Sequence, residues 1–195
     1  NTLTLGGTAA NTFNGTTTIN GGTVALNKTA GTDAIAGDIS ISAGTTLLHL
    51  ASNQIADTST IDVNGGTFDL DDQSETIATL IDTAAGSVTL GTGSANTLTI
   101  GDATDFTFDG VISENGNLSK TGAGIATLAG ANTYVGTTTI SSGTLSVTGS
   151  IAAGGSVSVN GGTLGGDGTV NSPVSMTGAG GSIAPGLSPG ILTVD

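Results

Sequence analysis

Apolar and polar residues alternate in short runs along the chain, as in Thr60-Ile61-Asp62-Val63, Phe68-Asp69-Leu70, Leu145-Ser146-Val147 and Val157-Ser158-Val159. A period of two marks strands with one face on a core and the other in water. The runs come in pairs. Ile19 precedes Val24 by five residues, and the same step joins Val63 to Phe68, Ile140 to Leu145 and Val159 to Leu164. Each step contains Asn-Gly-Gly-Thr or Ser-Ser-Gly-Thr, whose small residues tolerate positive φ, so each unit reads as strand, tight turn, strand. No stripe of apolar residues at i, i+3 and i+4 is sustained, and no helix is predicted.

The turn phrases recur at a fixed distance. From Gly22 to Gly44 and from Gly44 to Gly66 the interval is 22 residues, and from Gly143 to Gly162 it is 19. Further turn-and-strand units fall near Gly86, Asp105 and Gly124, which keeps the step near twenty. Tight turns between alternating strands would also suit an antiparallel meander or sandwich. The fixed period favours a coil that climbs one rung per repeat, each rung stacking its Ile, Leu and Val on the like residues above and below. The predicted fold is therefore all-β: a right-handed single-stranded parallel β-helix of nine or ten rungs of 19–22 residues. At a rung spacing of ~4.8 Å it would be a rod on the order of 45 Å long. It is predicted to be one continuous solenoid over residues 1–195, a piece of a larger surface protein.

Composition supports a stack over a globule. Only 3 % of residues are aromatic against 36 % apolar, so the core must be built from many similar aliphatic layers. A mean hydropathy of +0.26 with 9 % charged residues argues against disorder. The formal charge is −13, with Lys28 and Lys120 the only basic side chains beside 15 acids. Nucleic acid and anionic lipid are excluded as partners, because both are held by clusters of Lys and Arg. The absence of cysteine excludes disulfides and thiol chemistry. No apolar run is long enough for a membrane span, and Asn1 begins in mid-pattern without a signal-peptide profile, so the chain reads as a mature or internal piece.

Two stretches share one phrase. NTFNGTTTINGGTVAL runs from Asn11 to Leu26, and NTYVGTTTISSGTLSV from Asn132 to Val147. With the preceding Leu128 and Gly130, the second copy resembles the passenger-associated repeat of bacterial autotransporters, the type V secretion family. Its residues Asn132, Thr133, Tyr134, Gly136, Thr138, Thr139, Ile140, Gly143, Thr144 and Leu145 match that pattern. The copies cover residues 5–26 and 122–148; the first has two extra residues between Leu5 and Asn11. A Pro-Gly-Leu-Ser-Pro-Gly rung within residues 180–194 is also similar to such passengers. The resemblance implies a β-helical stalk or adhesin, passed through an outer-membrane barrel and displayed at or released from the bacterial surface. A chain without disulfides suits that threading. The sequence has no barrel-like set of amphipathic strands with aromatic girdles.

Candidate chemistry is sparse. Parallel β-helices include polysaccharide lyases and hydrolases, which need a base or paired carboxylates. Lys28 and Lys120 are expected to be solvated. His49, in Thr46-Leu47-Leu48-His49-Leu50, is expected to face out if Thr46, Leu48 and Leu50 face in, and it has no spaced partner for catalysis. The acids of Asp69-Leu70-Asp71-Asp72-Gln73-Ser74-Glu75 are the one opening for Ca²⁺, although their spacing fits no known calcium loop. Gly165-Gly166-Asp167-Gly168 and Gly178-Ala179-Gly180-Gly181 read as turns. Thr16-Thr17-Thr18 and Thr137-Thr138-Thr139 would suit an ice-ordering face but recur too rarely to favour it. No catalytic residue, cofactor site or metal site is assigned. Ile19, Val24, Leu26, Ile140, Leu145 and Val147 are expected to face inward, Asn11 and Asn132 to sit at turns, and Phe13 and Tyr134 to cover the core. The expected function is a non-enzymatic extracellular stalk or adhesin-like segment, with a self-assembling fibre or sheath protein as the alternative. The expected partners are its own neighbouring repeats or other copies, and host or environmental glycans and proteins.

Overall fold

The computed structural model describes residues 1–186 and 192–194; residues 187–191 of the Pro-Gly rung lie outside the described residues. Every named ladder is parallel, which removes the antiparallel meander. The chain climbs through about nine turns, each passing three faces in the same order, and the described residues contain no helix.

The first face is a six-stranded sheet of Thr2–Gly7, Thr23–Lys28, Thr46–His49, Thr67–Asp69, Ser87–Thr89 and Val111–Ser113. It continues as Ala131–Asn132, Ser150–Ile151, Thr169–Val170 and Thr193–Val194. The second face opens with a bridge between Ile35 and Ile55 and runs on through Glu75–Ile77, Thr97–Ile100, Asn117–Lys120, Thr137–Ile140, Ser156–Val159 and Val174–Met176. The third holds Thr17–Ile19, Ile39–Ile41, Thr60–Asp62 and Thr79–Ile81, followed by Phe106–Phe108, Ile125–Leu128, Thr144–Val147, Thr163–Gly166 and Ser182–Pro185.

Inward positions stack in columns. Val24, Leu47 and Phe68 pair in register, as do Phe68, Val88 and Ile112 on the turns that follow. One aliphatic cluster joins Ile19 near one end to Val170 near the other. Ile19, Leu26, Ile140, Leu145 and Val147 are buried as expected, and Val24 is half-buried.

The repeated phrase does not occupy the same face in its two copies. In the first, Thr17–Ile19 lies on the third face and Thr23–Lys28 on the first. In the second, Thr137–Ile140 lies on the second face and Thr144–Val147 on the third. The phrase therefore encodes a corner, and the three corners are close enough in geometry to share it. Gly22 and Gly143 turn those corners with φ of 70° and 63°, the left-handed region that favours glycine.

Candidate functional site

The side chains with chemical potential are inside the coil. His49 is fully buried, not outward as the alternation predicts. Thr23 pairs with Thr46, and Thr46 with Thr67, so the steps on this face are 23 and 21 residues and not two of 22. Thr45 is an extra residue. It shifts the strand by one position, and a one-residue slip exchanges the faces. Leu47 and His49 consequently point in, Leu48 is half-buried and Leu50 is exposed.

His49 lies in line with Leu26, and its ring meets Phe68 edge-on at 5.3 Å. Its Nε2 is 2.9 Å from Glu75 Oε2. That oxygen also accepts the Gln54 and Ile55 amides at 2.7 and 3.2 Å, while Oε1 accepts the Thr76 amide at 3.0 Å. An oxygen already taking two N–H groups is an acceptor, so the imidazole Nε2 donates, and its Nδ1 is buried without a hydrogen-bond partner. Gln54 carries the network one turn further down: its Oε1 accepts the Lys28 amide at 2.7 Å and its Nε2 donates to Ser52 O at 3.2 Å. Glu75 is thus not part of an exposed acidic patch. It stands in the inward column of Leu98 and serves as an acceptor for the turn below.

Both lysines are buried as well, contrary to the expectation of solvated residues. Each is in phase with an inward neighbour, Leu26 or Leu118. Lys28 Nζ donates to Gly6 O and Ala9 O at 3.2 and 2.7 Å. Lys120 replaces an isoleucine in the column Ile100, Lys120, Ile140, and its Nζ reaches Thr121 O, Gly122 O and Ser142 O at a corner. Burial pushes its ammonium below the ordinary 10.5, with the nearby Asp102 and Asp105 charges opposing.

Several of the other acids serve the ladder singly. Asp38, Asp62 and Asp105 each accept an amide of the next turn, from Thr60, Thr83 and Ile125 at 2.8, 3.1 and 2.7 Å. Asp72, in a left-handed conformation, takes the Gly93 amide at 2.6 Å, and Asp69 takes that of Asp71 at 3.0 Å. Among the described residues, no three His, Asp or Glu side chains gather in a metal-ligating group. Asp167 follows the strand Thr163–Gly166, at a bend.

Asn132 does more than serve a local turn. It accepts the Ile112 amide at 3.0 Å and donates to Gly130 O and Ser150 O at 3.0 and 3.2 Å, tying three turns where the two sheets of the first face meet. Asn11 donates one bond, to Ala34 O at 2.8 Å. Tyr134 is buried and shares a 2.6 Å bond with the Thr138 hydroxyl; burial pushes its phenol well above 10, against the pull of that bond. Its counterpart Phe13 is 44 % exposed and does not cover the core.

A lateral groove of about 710 Å³ runs along the corner between the first and second faces. It spans four turns, from Thr92 and Ser94 to Gly155 and Ser156, and no charged side chain lines it.

Two stretches of this ladder have a family signature. Residues 1–26 and 118–147 match the passenger-associated-transport-repeat. An autotransporter passenger with β-strand repeats would carry such matches, and the two regions contain the copies that share the Asn-Thr-aromatic phrase. The first passenger repeat contains Asn11 and Phe13, the second Lys120, Asn132 and Tyr134, so the match covers corner and core residues. No curated protein and no solved structure matches the chain.

Proposed function

We propose that this chain is a non-enzymatic structural segment of a larger autotransporter passenger, exported to the cell surface or beyond, where it holds other parts of the protein away from the cell as a rigid spacer. The observation that carries this reading is the continuity of the ladder: two passenger repeats are joined by parallel pairing and one aliphatic core into a single coil. Its titratable groups support the same reading. The one carboxyl paired with a basic side chain among the described residues, that of Glu75, is sealed in the core, and the lysines cap carbonyls.

The test is to express the parent protein in its own host with a tag in an exposed loop and treat intact cells with protease. Cleavage of the tag from intact cells, with no turnover of neutral or acidic polysaccharides by the purified chain, is the expected result. A protected cytoplasmic tag, or hydrolysis lost on replacing surface acids, would sink the proposal.

A second reading, self-assembly into a fibre or sheath, draws on exposed Leu3 in the first turn and exposed Met176 and Ile183 in the last. Copies stacked end to end would cover them. Sedimentation velocity with and without calcium separates the readings: a spacer stays monomeric in both, whereas a matrix protein polymerises.

A further inference from the structure

We propose that the groove beside the second face binds an uncharged linear polysaccharide. This goes beyond the spacer reading by giving the coil a lateral recognition site.

The first support is shape. Successive turns contribute equivalent corners: Thr92 and Ser94, then Asn115 and Asn117, then Val135 to Thr137, then Gly154 to Ser156. The floor is bare backbone. A Cβ on Gly136 would lie 2.1 Å from Gly116 O, and one on Gly155 2.1 Å from Gly136 O, so the turns stack here only as glycine. Thr92 and Ser94, both exposed, contribute the first of these turns.

The second support is chemistry. The chain has a net charge of −13, yet the lining offers hydroxyls, amides, backbone and the single aliphatic side chain of Val135, with no charged group. Glu114, beside the groove, is engaged with the Gly91 amide at 2.6 Å. The Asn115 and Asn117 amides hold the wall, donating to Thr92 O at 2.7 Å and Ser94 O at 2.9 Å, and the Thr92 and Ser94 side chains are exposed. Val135, 38 % exposed, offers an apolar contact for the C–H face of a sugar ring. Such a set recognises a neutral polyhydroxyl ligand. Anionic polymers meet the opposite of what they need, since both lysines are buried and the surface around the groove is acidic.

The third support is periodicity. Thr97 pairs with Asn117 and Thr137 with Ser156, while Thr99, Ser119, Thr139 and Ser158 form a second outward column beside them. The polar pattern thus repeats at each rung, ~4.8 Å apart. A ligand suited to it repeats its own hydroxyls on a similar step, as an extended glycan does and a compact solute does not.

The test uses the purified chain and four probes: cellohexaose, mannohexaose, chitohexaose and, as the charged comparator, hexagalacturonate, followed by calorimetry and amide chemical shifts. Saturable binding of at least one neutral hexasaccharide is expected, with shifts centred on residues 92–94, 115–117, 135–137 and 154–156. Ser94→Trp and, separately, Thr92→Trp fill the groove from exposed positions; each should weaken binding about tenfold or more with the melting temperature unchanged. Thr127→Trp, on the third face, should leave binding intact. The proposal is overturned if none of the neutral hexasaccharides binds saturably, if hexagalacturonate binds as well, or if the shifts lie elsewhere. These results are independent of where the parent protein resides, so failure here and failure of the spacer reading remain distinct.

Discussion

Glu75 occupies an inward column whose next members are Leu98 and Leu118, and it is tolerated there because four N–H groups converge on its two oxygens. Unpaired polar groups in a core cost far more than a matched set contributes. Replacing Glu75 with leucine restores the aliphatic column but strands His49 and the Gln54 and Ile55 amides. We expect Glu75→Leu to destabilise the chain by about 3–5 kcal/mol in urea unfolding, with Glu75→Gln intermediate. A leucine variant as stable as the parent would show that the network is dispensable. Lys120 gives a prediction in pH. Its folded pKa lies below 10.5, so between those two values the unfolded chain binds more protons than the folded one. Stability should therefore rise with pH as it approaches 10.5 and be lost as pH falls through the folded value. Lys120→Met should remove that rise, and identical slopes for the two proteins near pH 9–10 would refute the assignment. The raised Tyr134 phenol acts in the opposite sense only above pH 10, where the unfolded chain alone loses the proton.

At the scale of the element, the unit of this protein is the corner. A strand is only two to six residues long and gains its stability from the strands above and below it. What the chain must specify locally is the turn between faces. Gly143 combines a left-handed φ of 63° with carbonyls of Gly122 and Gly124 at 2.4 and 2.5 Å from where a Cβ would stand. Gly31 has a similar φ of 76° and nothing within 4 Å of that position. Gly31→Ala should cost about 1–2 kcal/mol, the price of the backbone conformation. Gly143→Ala should cost distinctly more, because the stacked turn must also move apart. Equal shifts in melting temperature would mean that stacking at the corner is not tight. Sharing one phrase between different corners explains why the two passenger repeats look alike yet sit a face apart: Asn132 pairs on the first face, and Asn11 bonds to the Ala34 segment on the second.

For the whole molecule, a ladder of near-equivalent turns predicts tolerance to removing a whole number of them. Leu118 pairs with Thr138, so deleting residues 118–137 joins Asn117 to a residue already in register and takes out one turn, ~4.8 Å of rod. That variant should keep a β circular-dichroism spectrum and cooperative unfolding, whereas deleting residues 128–137 should not, because losing half a turn sets the strands of the following turns against corners of the turn before and breaks the stacked core. If both deletions fold alike, the coil is not the cooperative unit. The same architecture distributes charge. With both lysines drawn inside, the surface carries acids alone among its ionisable side chains apart from the buried Glu75–His49 pair. Copies should repel each other at low salt, and divalent cations should relieve that repulsion.

Alternation at Val157-Ser158-Val159, the five-residue step at Ile140 to Leu145 and the twenty-residue beat are local properties. They determined the strands, the parallel stacking and the core residues by themselves, because each turn buries its own aliphatic side chains in the same pattern. Lys120 shares the inward phase of Leu118, but its charge leads to the expectation of a solvated side chain, and only the corner carbonyls of the stacked turn show how an ammonium is held inside. The fate of His49 and Glu75 was likewise not legible. Whether His49 faces in depends on one extra residue, Thr45, and that matters only when strands separated by 21 and 23 residues are laid side by side. Glu75 looks like one more acid in Asp-Leu-Asp-Asp-Gln-Ser-Glu until the preceding turn brings three backbone or ring N–H groups onto one oxygen. The groove belongs to the same class: Ser94, Asn117, Thr137 and Ser156 are scattered by the sequence and gathered only by the climb of the coil. Periodicity is written in neighbours along the chain, while register and the sites it assembles are decided by neighbours across it.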